Sequence, residues 1–155
     1  MDGKYYLFEL GYRLDGMMGW RDMTASTGFN AVEIQVDIAL GRTEKEYRFI
    51  ENCKTPNLFC SIYFIYAKPG KVARIVGIDA LQKMENVFIR INRFHENNNI
   101  IANNTMYQLA LTLHLETKSE QETIEVLKDI NRTVHFYDEN GCDMLLYFEN
   151  YNIFE

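Results

Sequence analysis

The amino-acid sequence predicts an α+β fold, a mainly antiparallel sheet with two or three helices. Three observations predict it. Tyr107, Leu109, Leu111, Leu113 and Leu115 alternate with polar or small residues, the two-residue period of a half-buried strand. Ser119 and Glu122 form a capping box ahead of Ile124, Leu127 and Ile130, whose spacing is that of an amphipathic helix. Finally, 10 Tyr and 10 Phe stand against only 2 Pro, and aromatic side chains favour pleated, half-buried surfaces.

Taken in order, residues 5–13 read as a strand. Asp2-Gly3 ahead of it supplies the positive φ angles of a two-residue hairpin turn, yet no first strand precedes that turn. A C-terminal piece cut from a longer protein would begin this way, and so would a frayed terminus. Residues 17–28, rich in Gly, Ser and Thr with clustered Met, read as a loop. The next stretch fits two patterns. Val32, Ile34, Val36 and Ile38 alternate with Glu33, Gln35 and Asp37 as in a strand, while Phe29, Val32, Val36 and Ala39 form a helical stripe with Asn30 at the N-cap and Gly41 as the stop. By pattern alone, strand is favoured there.

Residues 59–67 and 71–78 flank Pro69-Gly70, a type II turn dipeptide, and are expected to pair as a hairpin. A short helical turn at 79–84 leads to a strand at 87–94, and the polar tract 95–99 turns the chain. The alternating strand around Leu111 and the helix at 120–131 follow. Strands at 134–137 and 143–148 flank Asn140-Gly141, a strong hairpin signal.

Composition excludes several classes of function. At 155 residues, 47% hydrophobic and 25% charged, the chain suits one ordinary domain. No apolar run approaches the roughly 20 residues that cross a bilayer, and no secretory leader pattern opens the sequence. No membrane partner is expected, and the cytoplasm is the expected location. Cys53, Cys60 and Cys142 are odd in number with no paired spacing, so reduced thiols are expected rather than disulfides or a zinc site. A net charge of −6 argues against phosphate-backbone binding, and no nucleic acid is expected as a partner. The aromatic and basic run 88–94 reads as an edge strand with gatekeeping charges. His95, His114 and His135 lack the spacing of a metal-ligating helix and read as surface or satisfied residues.

Chemistry concentrates on the first strand. Alternate side chains share a face, so Glu9, Gly11 and Arg13 stand in a row at intervals of roughly 6.5 to 7 Å. A carboxylate suits Mg²⁺, and a guanidinium fork suits a phosphate or carboxylate. A plain cross-face ion pair fits the same pattern.

The run from Phe8 to Gly16 (FELGYRLDG), with Thr27-Gly28-Phe29-Asn30 and the Ala39-Leu40-Gly41 ending, resembles the last third of an ATP-grasp ligase. In that superfamily an E-x-N-x-R strand supplies magnesium-ligating Glu and Asn and a phosphate- or substrate-binding Arg; a T-G-x-[ND] segment and a helix follow. The resemblance implies that Glu9 ligates Mg²⁺ and binds the ATP cofactor, and that Arg13 is the catalytic residue on the acyl phosphate or the γ-phosphate. Gly11 occupies the usual Asn position, as in branches similar to the amino-acid ligases, and removes one ligand. Gly16 and Gly19 would belong to a Gly-rich loop beside the substrate. Lys68-Pro69-Gly70-Lys71, followed by Ile75-Val76-Gly77, resembles the hairpin of the C-terminal subdomain in the biotin-carboxylase-like and dipeptide-ligase-like branches. The resemblance places a helix at 30–40, against the pattern reading.

The resemblance implies that residues 1–50 are the C-terminal part of an ATP-grasp lobe, with 51–155 a β-rich subdomain packed on it as one compact unit. It also implies that the nucleotide lysines, the covering loop and a second acidic ligand lie upstream. The chain is therefore expected to be the C-terminal fragment of an ATP-dependent carboxylate–amine or carboxylate–thiol ligase acting through an acyl phosphate and inactive alone. Its expected partners are the upstream lobe of the same protein, which alone would complete the ATP and Mg²⁺ sites, and small carboxylate and amine substrates; a homodimer is also compatible. The alternative is a free-standing oligomerisation or small-ligand-binding module of related fold.

Overall fold

The structure, a computed structural model, describes residues 16, 18–28, 30–42, 58–103 and 106–151. It is α+β with antiparallel sheets, as expected, and the described residues include four helices rather than two or three. The chain divides into two units, Met1–Pro56 and Asn57–Glu155. Among the described residues, no helix is long and apolar enough to cross a membrane.

The first unit carries the additional helix. Residues expected to form a loop instead form α1 (Gly19–Thr27), and the hydroxyls that suggested a loop explain how. Thr24 Oγ1 donates to the Trp20 carbonyl at 2.8 Å and Thr27 Oγ1 to that of Met23 at 2.6 Å, so both are satisfied within the helix. Gly28, at φ 76°, ends α1 and donates its N–H to the Thr24 carbonyl. Two residues later α2 (Ala31–Ala39) begins under Asn30, whose side chain accepts the Glu33 N–H at 3.2 Å. The helix wins over the alternating strand pattern here because the N-cap and the Leu40 and Gly41 backbone bonds at the other end satisfy its terminal groups. It is an unusual helix: Asp37 is buried while Val36 and Ile38 are exposed.

The second unit is built on a four-stranded antiparallel sheet, ordered β4-β6-β1-β8. The strands are β1 (Phe59–Ala67), β4 (Val87–Asn92), β6 (Leu109–Thr117) and β8 (Leu145–Leu146). Two short pairs accompany it, β2 (Gly70–Lys71) with β5 (Asn99–Ile100), and β3 (Arg74–Val76) with β7 (His135–Tyr137). The hairpin expected across Pro69-Gly70 does not form. One side of β1 is taken by β6 along almost its whole length, and the other meets β8 at Tyr66 and Ala67. The residues after Gly70 therefore find partners elsewhere, a case of tertiary pairing overriding a local turn signal.

β6 was expected to be half-buried. It is buried on both faces, Thr112 and His114 as fully as Leu111 and Leu113, and it lies inside the sheet with a partner strand along each edge. α4 (Glu120–Thr133) packs against β6 and β1 and buries Leu127 and Ile130 in the core with Ile65, Leu113, Leu115 and Phe136. The Ser119 half of its capping box forms, Ser119 Oγ accepting the Glu122 N–H at 3.1 Å; the return bond from Glu122 Oε2 goes at 2.6 Å to the N–H of Lys118, one residue before the N-cap.

The four-residue α3 (Ile78–Leu81) is closed from outside. Arg90, on the edge strand β4, donates Nε to the Leu81 carbonyl at 2.8 Å and Nη2 to that of Met84 at 2.7 Å. This charge was expected to guard the sheet edge; it caps a helix end instead.

Candidate functional site

Of the side chains predicted to carry chemistry, Glu9 and Arg13 lie outside the described residues, as does Cys53. What is described is the segment that follows them. Gly16 sits in an exposed turn with open space where a Cβ would point. Gly19 is not part of a loop; it is the first residue of α1. Thr27-Gly28 closes one helix and Asn30 opens the next. Gly28 earns its place there, because its φ of 76° strains any side chain.

The chemistry of the donor set bears on a metal ion. Among the described residues, no three His, Cys, Asp or Glu side chains converge as a metal cage would require. The buried carboxylate of this unit, Asp37, lies 3.6 Å from the Arg42 guanidinium, a charge partner that serves the place of a cation. The described residues do not fit a metal site.

In the second unit the structure assembles a polar cluster that the sequence reading treated as separate residues. His135 Nδ1 lies 2.7 Å from Asp143 Oδ2 and 2.9 Å from the Tyr147 hydroxyl, and that hydroxyl lies 2.8 Å from the same carboxylate oxygen. His135 thus proves to be a satisfied residue, as expected. The Asn140-Gly141 turn, read in the sequence as a hairpin signal, is what brings them together: Tyr137 faces Asp143 across it, so His135, two residues back, is the diagonal neighbour of Asp143. Burial pushes the Tyr147 phenol far above its ordinary range, and its hydrogen bond to Asp143 pushes the same way.

A second network adjoins it. Asn131 accepts the Tyr63 hydroxyl proton at 2.8 Å and donates its amide to the Phe148 carbonyl and the Tyr151 hydroxyl, both at 2.9 Å. Tyr63 also accepts the Phe148 N–H at 2.9 Å, and burial raises its phenol too. An open cleft of about 550 Å³ runs past Lys128, Asn131, Arg132, Tyr147, Glu149 and Tyr151. Its floor is already committed internally. Asn131 and Tyr147 spend their polar atoms on neighbours, Arg132 pairs with Asp129, and Lys128 lies 5.1 Å from the centre of the Tyr151 ring. Nor is the His135 cluster a nucleophile's triad, since its Nε2 faces the Arg132 carbonyl rather than a Ser or Cys.

The chain superposes on the crystal structure of an L-amino acid ligase from Bacillus licheniformis with a TM-score of 0.66 and 17% sequence identity, over 86% of this chain and 33% of that one. The likeness is one of fold. The chain spans about a third of the ligase's length. No protein-family model matches the sequence, and no curated protein matches it. The α+β, antiparallel architecture expected from the ATP-grasp resemblance is thus found both in the structure and in its ligase neighbour.

Proposed function

We propose that this chain is the C-terminal part of a cytoplasmic ATP-dependent ligase that joins a carboxylate to an amine, or to a thiol, and that it has no ligase activity alone. In the complete enzyme a substrate carboxylate oxygen attacks the γ-phosphorus of ATP, ADP leaves, and an acyl phosphate forms. The amine then attacks the acyl carbon, loses its proton, and expels inorganic phosphate. Such a reaction depends on positive charge placed against the phosphoryl oxygens. In this reading Arg13 supplies part of that charge, Glu9 is the carboxylate that faces Mg²⁺ and the nucleotide, and the segment from Gly16 to Gly19 borders the substrates. An upstream lobe would supply the remaining ligands and the nucleotide pocket.

The observation that carries this reading is the match to an L-amino acid ligase, which covers most of this chain and a third of that one. The helix α2 and the Gly28 and Asn30 corner support it at the level of local structure, because they stand where the T-G-x-N resemblance puts them.

Calorimetric titration of the 155-residue chain with MgATP tests the proposal. Absent or weak binding is expected, and micromolar affinity would overturn the fragment reading. In the complete enzyme, Glu9→Gln and Arg13→Ala are each expected to lower turnover by about 10²-fold or more, the typical effect of removing a group that stabilises transition-state charge. Near-normal turnover in both would remove these residues from the site.

A further inference from the structure

A cavity of about 90 Å³ is lined by Ile78 and Leu81 of α3, Gln82 at its end, Arg90 and Asn92 of β4, and Leu111 of β6. Asn92 pairs with Leu111, and Arg90, two residues before Asn92, shares its face of the strand. The wall is of two kinds. Ile78, Leu81 and Leu111 are aliphatic, whereas Gln82, Arg90 and Asn92 are polar.

The polar groups have donors to spare. Arg90 is half-buried and gives Nε and Nη2 to the Leu81 and Met84 carbonyls, which uses two of its five N–H groups and fixes the plane of the guanidinium. Both partners are neutral, and among the described residues no carboxylate forms an ion pair with Arg90. The Asn92 amide is oriented by the backbone: its Oδ1 accepts the Phe94 N–H at 3.2 Å, so Nδ2 is the donor that remains. Gln82 is exposed, at the rim. The acidic residues closest to α3 in sequence, Asp79 and Glu85, are exposed, and neither is among the residues that line the cavity.

A half-buried cation with unused donors and neutral partners favours a negatively charged acceptor. We infer that this cavity binds a short aliphatic carboxylate, its oxygens against Arg90 and Asn92 Nδ2 and its alkyl carbons against Ile78, Leu81 and Leu111. Volume and lining select this class among oxyanions. The cavity holds the share of roughly three water molecules, enough for acetate or propionate and far too little for a nucleotide. The planar fork of a guanidinium matches the two oxygens of a carboxylate. A phosphate has oxygens on every side, and half of the lining residues are aliphatic with no proton to give them. The site lies wholly within the second unit and is independent of Glu9 and Arg13.

Titration of the nitrogen-15-labelled 155-residue chain with sodium acetate, sodium propionate and sodium phosphate tests this. Ionic strength is held constant, at about pH 7, where both carboxylates are ionised. Saturable shifts of the Arg90 Nε–H and the Asn92 side-chain amide are expected with both carboxylates. Propionate should bind about fourfold more tightly than acetate, the value of one buried methylene, and phosphate more weakly than either. Arg90 also closes α3, so the variant is placed at the rim. Gln82→Glu, an exposed change that adds a like charge, should weaken propionate roughly fivefold with backbone amide shifts away from the cavity unchanged. No saturable shift with either carboxylate, phosphate binding as tightly as propionate, or unaltered propionate affinity in the Gln82→Glu chain would overturn the site.

Discussion

Gly77 is the residue at which the fold tolerates least. It precedes α3 at φ 85°, and a Cβ there would fall 1.9 Å from the Thr133 carbonyl oxygen and 2.6 Å from its carbon. Backbone, unlike a flexible side-chain tip, has nowhere to go. Gly77→Ala is therefore expected to destabilise the chain by roughly 3 kcal/mol or more, the range of severe backbone and overpacking effects, read as a lowered midpoint in urea with an unchanged slope. The sequence marked this glycine as part of a family-like hairpin but offered no reason for it, because the reason is a close approach to a helix end more than fifty residues away in the chain. The His135 cluster, whose members lie within 12 residues of one another, was hidden for a different reason. Its members were visible as residues; their meeting depended on the register across Asn140-Gly141 and on the path of the chain after it.

At the level of elements, what was legible depended on how local the determinants were. The 14-residue α4 was read correctly at its start and two residues short at its end, because its cap and its stripe are local while no stop residue marks where it finishes. Ser119→Ala is expected to cost about 1 kcal/mol, the usual value of a serine N-cap, and a thermal melt of the variant beside the wild type would show the loss; an unchanged melting temperature would mean that Glu122 alone holds the helix start. α1 was misread for an instructive reason. Thr and Ser argue against helix when their hydroxyls compete for backbone groups, yet Thr24 and Thr27 bond to carbonyls one turn back and leave the helix unbroken. β2 and β3 were assigned nearly in the right place but to the wrong partner, since strand pairing is decided by whichever edges remain open once β1 and β6 have met. α2 was ambiguous by period, with strand favoured even with Asn30 in view, and the ATP-grasp resemblance alone placed a helix there, which the structure contains.

For the molecule as a whole, the α+β class was legible from composition and period, and the position of β6 inside its sheet was not. A strand buried on both faces carries the same alternating Leu pattern as a half-buried one when the intervening residues are small or uncharged, as Ala110, Thr112 and His114 are. That placement leaves β1 without its main partner while the chain is being made on a ribosome. β1 carries the sequence FCSIYFIYA, and Phe59 pairs with Thr117, so the strand leaves the exit tunnel long before its partner exists. Until then it is an uncharged, aromatic, proline-free segment of the kind that associates with its own copies. A chain stopped at residue 105 should aggregate, and one extended to residue 137 should stay dispersed, in a translation extract followed by sedimentation; equal behaviour of the two would show that something other than β6 shields β1. Until translation reaches β6, β1 is thus open to neighbouring nascent chains, for as long as the residues between the two strands take to be made.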